Sequence, residues 1–145
     1  MFIARRDVAS VIILMILALL ILALRLGIIP VSLAAVDGES MLPTVREGDL
    51  VILLKVSDPS EIKVGDVVVY RSVGDRLIIH RVIEVLRVGD EYFYVTKGDN
   101  NFFPDIGDSI YGVSFSRIVG KVFSINGHIF KVPYLGYLSL WFRSS

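Results

Sequence analysis

The sequence predicts a mainly β protein, a compact antiparallel β-barrel or sandwich preceded by one N-terminal transmembrane helix. The first observation is an uncharged apolar run at one end of the chain, over residues 8–24. The second is a series of short runs rich in Val, Ile and Tyr, separated by recurring Gly-Asp pairs, which is typical of strands joined by turns. The third is that no stretch after residue 31 has a helical period over three turns.

Composition excludes several classes of protein. The chain has 145 residues, with 15 Lys and Arg against 15 Asp and Glu, and 54% of its residues are apolar. A chain this apolar can offset its ordering entropy by burial, so it is not disordered, and its balanced charge argues against a nucleic-acid partner. The absence of cysteine excludes a disulfide scaffold and Cys-ligated metal sites. His80 and His128 have no further His or Cys at ligand spacing, so we expect neither a metal nor a cofactor.

The N-terminal run is long enough to cross a membrane. Residues 8–24 carry no charge, and beyond Arg25 the apolar sequence continues to Ile29. About 20 helical residues cross a hydrocarbon core of about 30 Å, provided that Arg25 extends toward the headgroups. We therefore expect residues 1–30 to form a transmembrane anchor and residues 31–145 to form a β-rich domain, with 12 basic and 14 acidic residues.

Basic residues beside this run predict its orientation. Arg5 and Arg6 precede it, so the positive-inside rule places the N-terminus in the cytoplasm and the β-domain outside, whereas Arg25 argues weakly for the opposite. A cleaved secretory signal is the alternative, because Ser32-Leu33-Ala34 has the small residues of a cleavage site. The run exceeds the roughly 7–15 residues of a signal core, which favours an uncleaved anchor.

Five runs between the turn signals predict strands. Glycine supplies the backbone freedom that a turn needs, and β-branched and aromatic residues suit strands. The pair Asn126-Gly127 is in addition a type I′ hairpin signal. The predicted strands are residues 50–56, 67–71, 77–88, 92–97 and 117–125, and the Gly-Asp pairs stand at 48–49, 65–66, 74–75, 89–90, 98–99 and 107–108.

Residues 131–145 are aromatic and apolar but too few to span a bilayer alone. One interpretation is a strand and an edge segment packed on the β-domain. The other is a segment at the membrane interface, where Tyr and Trp are favoured. The residues favour the two interpretations equally.

Three features are candidates for chemistry, and each also has an ordinary explanation. Ser40 lies in a loop before the first strand, where most serines are turn residues, and its hydroxyl needs a base to become a nucleophile. His80 lies in an apolar strand, where a lone histidine is more often structural. The loop of residues 97–108 is rich in glycine and aspartate. Its aspartates are ordinarily solvated loop carboxylates, but one of them could instead orient an imidazole.

An ordered set of motifs surrounds these residues. After the anchor come Ser40-Met41-Leu42-Pro43, Glu47-Gly48-Asp49, His80-Arg81-Val82, Lys97-Gly98-Asp99-Asn100 with Asp105 beyond it, and Val119-Gly120-Lys121-Val122. This set resembles type I signal peptidase, and the histidine variant resembles its archaeal and endoplasmic-reticulum branch, because the bacterial branch has a lysine where His80 stands. Self-cleaving repressor-type peptidases share the Ser-Met-x-Pro element, but the complete set behind an anchor is much more specific.

The resemblance implies a membrane-bound serine endopeptidase that cleaves N-terminal signal peptides from secretory precursors. Ser40 would be the nucleophile, and His80 the general base that accepts its proton and passes it to the leaving amine. Asp105 would be the carboxylate partner of His80, with Asp99 as a second important acid.

The same resemblance implies surroundings and partners. The protein would lie in a cell membrane or an endoplasmic-reticulum membrane as a single-pass protein, with its catalytic domain on the extracytosolic face. Its partners would be signal peptides, membrane lipid and the protein-translocation machinery.

The extended conformation of a signal peptide near its cleavage site suggests how the substrate would be selected. Such a peptide directs the small side chains one and three residues before the bond to the same face, and it would add as a strand between the segments leading to Ser40 and His80. Small apolar pockets would select these side chains by excluding bulk. We expect the pocket walls to include Val36, Leu42 and Ile78.

One position departs from the family pattern. Family members often have a serine two residues before the nucleophile, whose hydroxyl assists the oxyanion, and here that residue is Gly38. The backbone N–H of Ser40 then remains as the oxyanion donor.

Two alternatives stay open at this point. The first is a non-catalytic, membrane-anchored adaptor or peptide binder, in which Ser40 and His80 would be structural. The second is a self-cleaving repressor-type peptidase, which is less favoured because histidine replaces lysine and no DNA-binding segment is present.

Overall fold

The computed structural model describes residues 5–26, 28, 30–107 and 109–138. The chain divides into two compact units, residues 1–31 and residues 32–145.

The first unit contains one α-helix, α1 (Arg5–Arg25). Leu, Ala and Met residues favour a helix, and no Gly or Pro interrupts the segment. Its large apolar side chains between Val8 and Leu22 are 46–64% exposed. Within the described ranges, no helix meets the combined length and apolarity expected of a membrane span, so the spanning helix expected from the sequence is not confirmed.

The second unit is built from short β-strands. They are β1 (Val31–Ala35, beginning at the unit boundary), β2 (Leu50–Leu54), β3 (Val67–Arg71), β4 (Leu77–Val88), β5 (Glu91–Lys97), β6 (Val113–Ser114), β7 (Ile118–Val122), β8 (Ser124–Ile125), β9 (His128–Ile129) and β10 (Lys131–Val132). Two single 3₁₀ turns, Pro59–Glu61 and Phe115–Arg117, lie between strands.

Eight of these strands form one sheet with the order β1-β2-β7-β3-β4-β5-β6, in which β10 also pairs with β2. The pairing is antiparallel for β10–β2, β2–β7, β7–β3, β3–β4, β4–β5 and β5–β6. The remaining two strands form a separate hairpin, β8–β9. Its turn residues Asn126 and Gly127 have φ values of 51° and 80°, as a type I′ turn requires.

The central strand β3 is buried on both faces, which explains its unbroken apolar sequence. Because side chains alternate along a strand, Val67 and Val69 contribute to one apolar cluster, and Val68 and Tyr70 contribute to another. The first cluster comprises Val36, Met41, Val45, Val51, Leu53, Val67, Val69 and Val122, and the second comprises Ile62, Val68, Tyr70, Val82, Tyr94 and Val113.

The expected antiparallel β-structure is confirmed, and the two strands over residues 67–71 and 77–88 have the expected bounds. A closed barrel is not found among the described residues, because the path ends at β1 on one side and at β6, with only two residues, on the other. The expected strand over residues 117–125 is broken at Phe123, whose N–H donates to the carbonyl of Ile52. Within the C-terminal part, Lys131–Val132 pairs with β2, and residues 139–145 lie outside the described residues.

Candidate active site

Three polar side chains share one face of the adjacent strands β3, β4 and β5. His80 is the register partner of Val68, and Thr96 is the register partner of Val82, so both lie on the face of the sheet that carries Tyr70. The Tyr70 and His80 rings meet edge to face, with centroids 6.5 Å apart. His80 and Thr96 are buried.

Asp105 reaches these side chains from the loop after β5. Its Oδ2 atom lies 2.6 Å from Nδ1 of His80 and accepts hydrogen bonds from Thr96 Oγ1 at 2.6 Å and from Tyr70 Oη at 3.0 Å. The Asp105 N–H donates to the carbonyl of Thr96 at 2.8 Å, so backbone and side chain are both held. The structure therefore places Asp105, rather than Asp99, against the histidine ring.

The charge of Asp105 determines which ring nitrogen carries the proton. Burial by itself raises the pKa of this carboxyl, but the hydrogen bonds from His80 and Thr96 outweigh it, so the pKa lies below its ordinary value. An ionised carboxylate only accepts hydrogen bonds, which means that Nδ1 is the donor. The other ring nitrogen, Nε2, then has a free lone pair in the neutral imidazole and can accept a proton.

Asp99 has different partners, among them Arg81, whose side chain lies on the face of β4 opposite to His80. It accepts two hydrogen bonds from the guanidinium of Arg81, at 2.8 and 2.7 Å, and one from Thr44 Oγ1 at 2.5 Å. Burial raises the pKa of Asp99, but the hydrogen bonds from Arg81 and Thr44 lower it by more. The pKa of this carboxyl is therefore also below its ordinary value. Asp99 thus joins β4 to the loop that contains Ser40.

That loop, residues 37–49, contains the candidate nucleophile Ser40 and is called the nucleophile loop for this reason. Met41 and Val45 anchor it because both are fully buried in the first apolar cluster. The carbonyl of Ser40 accepts a hydrogen bond from the N–H of Asn100 at 2.8 Å, and Gly98 packs so closely that a Cβ there would lie 2.6 Å from the same carbonyl.

The Ser40 side chain is half-buried, and among the described residues no hydrogen bond joins its hydroxyl to His80. Catalytic hydrogen bonds are often long in the free enzyme and shorten when substrate binds.

The three residues expected to line substrate pockets differ in accessibility. Leu42 and Ile78 are half-buried, and Ile78 lines a shallow groove together with Tyr70, Val73 and Ile106. Val36 is only 3% exposed and packs in the first apolar cluster. Their role in substrate binding stays a prediction.

Comparison with known protein families shows which family this chain is related to. The family model described as signal peptidase, peptidase S26, matches residues 8–86, which is more than half of the chain and includes both Ser40 and His80. The chain belongs to the signal peptidase S26 family. Asp99 and Asp105 lie beyond the matched residues.

Individual relatives extend the match. The chain is 33% identical over 112 residues to the signal peptidase complex catalytic subunit SEC11 of Chaetomium globosum, covering 77% of this chain and 63% of that protein. It is 34% identical over 119 residues to the subunit of the same name from Scheffersomyces stipitis, covering 79% and 69%. It is also 31% identical over 74 residues to signal peptidase I W of Bacillus subtilis, covering 51% and 39%. The chain therefore spans less than two thirds of the Chaetomium and Bacillus signal peptidases.

The departure at Gly38 has a backbone explanation. Gly38 has a φ of +97°, in the left-handed region that is unfavourable for residues with a Cβ. A signal peptidase with this loop conformation could hold a serine there only with strain, although a Cβ would meet no atom within 4 Å.

Sequence reasoning missed Tyr70, Thr96 and Thr44, which hold the two aspartates. Tyr70 and Thr44 lie 35 and 55 positions from their partners, so their contacts depend on strand register and loop packing. The only available signal was alternation within β3 and β5, which places Tyr70 and Thr96 on the face of His80 once the pairing is known.

Proposed function

We propose that this chain is a membrane-bound serine endopeptidase that removes N-terminal signal peptides from secretory precursors. The observation that carries the proposal is the 2.6 Å contact between Nδ1 of His80 and Oδ2 of Asp105, in a chain of the signal peptidase S26 family whose Ser40 loop is tied to the adjoining Asn100. In this proposal Ser40 is the nucleophile, His80 the general base and Asp105 the residue that orients the ring.

The reaction follows from the orientation of the imidazole. Nε2 of His80 removes the proton from the Ser40 hydroxyl as Oγ attacks the carbonyl carbon of the scissile bond. Asp105 stabilises the resulting imidazolium, which then donates its proton to the leaving amine. Water, activated by the same ring, hydrolyses the acyl-enzyme and restores Ser40.

The N–H of Ser40 is the proposed donor to the oxyanion. Among the described residues this N–H has no hydrogen-bond acceptor, so it is available to a developing charge. Gly38 supplies no side-chain donor, which leaves the backbone as the main source of oxyanion stabilisation near the nucleophile.

Membrane attachment by α1 is the second part of the proposal. An uncharged run over residues 8–24 and the exposure of its large side chains support it, because apolar residues exposed around a whole helix are stable in lipid rather than in water. The proposed orientation has the N-terminus in the cytoplasm and the catalytic domain on the extracytosolic face of a cell membrane or endoplasmic-reticulum membrane. Attachment would raise the effective concentration of substrates embedded in the same membrane.

The proposed substrates are extended peptides with small side chains one and three residues before the bond. Leu42 and Ile78 are accessible enough to act as pocket walls, and Val36 would support the pocket from the core. Membrane lipid and the protein-translocation machinery are the proposed further partners.

The test is cleavage of a purified secretory precursor by the full chain in phospholipid vesicles, with the new N-terminus identified by mass spectrometry. We expect one cut after a small residue, and a rate at least about 1,000-fold lower for Ser40→Ala. Ser124→Ala, which changes an exposed serine of the separate hairpin, is the matched control and should cleave at the wild-type rate.

Two outcomes would overturn the proposal. Cleavage by Ser40→Ala at the wild-type rate would remove Ser40 as the nucleophile. A wild-type protein that binds precursors but cleaves none of them would favour the adaptor.

A further inference from the structure

A segment outside the reacting groups packs against the nucleophile loop. It covers residues 131–137 and is called the C-terminal segment below. Lys131 Nζ lies 2.7 Å from Oδ2 of Asp49 and donates to the carbonyl of Thr44 at 2.9 Å. Asp49 also accepts a hydrogen bond from the N–H of Arg46 at 3.0 Å, so a single ammonium group joins two points of the loop.

Two glycines allow the backbones of the segment and the loop to approach. The N–H of Gly136 donates to the carbonyl of Gly48 at 2.9 Å, and a Cβ on Gly136 would lie 2.8 Å from the carbonyls of Gly48 and Asp49. The ring of Tyr137 occupies the space that a Cβ on Gly48 would need. The segment is therefore in direct contact with the turn that ends the nucleophile loop.

Thr44 links this contact to the candidate active site. Its carbonyl is held by Lys131, while its hydroxyl donates to Asp99. The next residue after Asp99, Asn100, donates its N–H to the carbonyl of Ser40. The nucleophile loop is thus held at Ser40 from one side and at Thr44 and Asp49 from the other.

We propose that Lys131 is a positioning residue for Ser40, acting through Thr44 and Asp49 to hold the nucleophile loop in its reactive conformation. This inference rests on the proposed function, because it assigns Lys131 a role in cleavage by Ser40. The polar contacts of Lys131 are with Asp49 and Thr44, not with Ser40, His80 or Asp105.

The burial of Asp49 is the reason why its ion pair with Lys131 can hold the nucleophile loop in place. The Asp49 side chain is 5% exposed, and a buried carboxylate that loses its cation is strongly destabilised in that position. The loop would then rearrange to hydrate Asp49. A displacement of about 1 Å at a reacting group can reduce a rate by about 100-fold.

The chain offers a matched control for Lys131. Lys121 also pairs with an aspartate, Asp66, at 3.4 Å and donates to a backbone carbonyl, that of Glu61, at 2.9 Å. The two lysine side chains are 26% and 27% exposed, but the Lys121 contacts join β7 to the Pro59–Glu61 turn and the adjacent Asp66 turn. Replacing either lysine by methionine removes one ion pair and one hydrogen bond to a backbone carbonyl, although Asp66 is 21% exposed and Asp49 only 5%.

The experiment compares wild type, Lys131→Met, Lys121→Met and Lys131→Arg as full chains in phospholipid vesicles. Precursor cleavage gives kcat and KM, and hydrogen–deuterium exchange reports the order of residues 37–49. For Lys131→Met we expect a kcat about 10- to 100-fold lower with KM within about twofold, together with faster exchange in residues 37–49. Lys121→Met should match wild type in both measurements, and Lys131→Arg should recover at least about half of the kcat.

Several outcomes would overturn the inference. They are an equal loss of kcat in Lys131→Met and Lys121→Met, unchanged exchange in residues 37–49, and faster exchange with unchanged kcat. If Lys131→Met does not fold, Lys131→Gln replaces it, because glutamine also removes the charge. A lower kcat with faster exchange in residues 37–49 of that variant supports positioning by the cation, and wild-type kcat and exchange oppose it. If wild type itself fails to cleave, the proposed function is wrong, while the exchange data still decide whether Lys131 orders the loop.

Discussion

Asp105 and Asp99 are six residues apart but have different surroundings. Asp105 accepts from His80, Thr96 and Tyr70 on one face of the sheet, whereas Asp99 is paired with Arg81. The family motif indicated that both acids matter, and its spacing favoured Asp105. The loop conformation that brings one carboxylate to the ring depends on strand register, which the sequence does not contain.

The two carboxylates should therefore differ in their effect on the reaction. In Asp105→Asn the amide can donate to Nδ1, which stabilises the wrong tautomer of His80, and we expect kcat to fall by about 10⁴-fold. In Asp99→Asn the histidine pair is intact, so we expect kcat to fall by less than about tenfold and the thermal midpoint to decrease as the Arg81 ion pair is lost. Steady-state cleavage and thermal unfolding measure both effects. An equal loss of kcat in the two variants would contradict the assignment.

Among the elements, the nucleophile loop depends most on backbone conformation. Gly38 has a φ of +97°, which costs a residue with a Cβ about 1–2 kcal/mol. The family resemblance implied that a serine at this position would supply an oxyanion donor. The backbone conformation of this loop favours glycine at position 38 instead.

We therefore expect Gly38→Ser to lower both stability and kcat rather than to raise kcat. Gly65→Ser is the matched control, because Gly65 has a φ of +96° and a Cβ there would also meet no atom within 4 Å. The two variants should lose similar thermal stability, but only Gly38→Ser should cleave more slowly. A faster reaction in Gly38→Ser would show that the serine hydroxyl is tolerated and assists the oxyanion.

Strands with a strong pattern were predicted with accurate bounds, and weak ones were missed. β3 and β4 have long β-branched runs between Gly-Asp turns, which local propensity and turn chemistry determine. β1 contains Ser and Ala residues and β6 has two residues, so both depend on pairing with neighbours. The contacts of the C-terminal segment with the nucleophile loop could not be predicted, because they join residues far apart in the chain, such as Lys131 and Thr44, which are 87 positions apart.

At the scale of the whole molecule, buried carboxylates make the free energy of unfolding depend on pH. Burial raises the pKa values of Asp49, Asp99 and Asp105, but hydrogen bonds and cations outweigh it, and all three pKa values lie below the ordinary 3.8. The unfolded chain then binds protons more readily than the folded protein. The stabilisation is complete well above pH 3.8 and is lost as the pH falls through the lower folded-state values.

We expect the urea midpoint, followed by near-ultraviolet circular dichroism, to be constant from about pH 7 to 5 and to fall progressively below about pH 5. Asp99→Asn should have a lower midpoint at pH 7 and a smaller decrease on acidification, because one of the three linked carboxyls is absent. A wild-type midpoint that stays constant down to pH 3 would contradict the pKa directions.

The central claim is that one histidine of this molecule performs proton transfer for Ser40. The chain contains two histidines: His80 is buried against Asp105, and His128 is exposed in the β8–β9 hairpin. The most direct measurement is the rate of precursor cleavage by wild type, His80→Ala and His128→Ala. We predict that His80→Ala is at least about 1,000-fold slower and that His128→Ala equals wild type. Cleavage by His80→Ala at the wild-type rate would contradict the account.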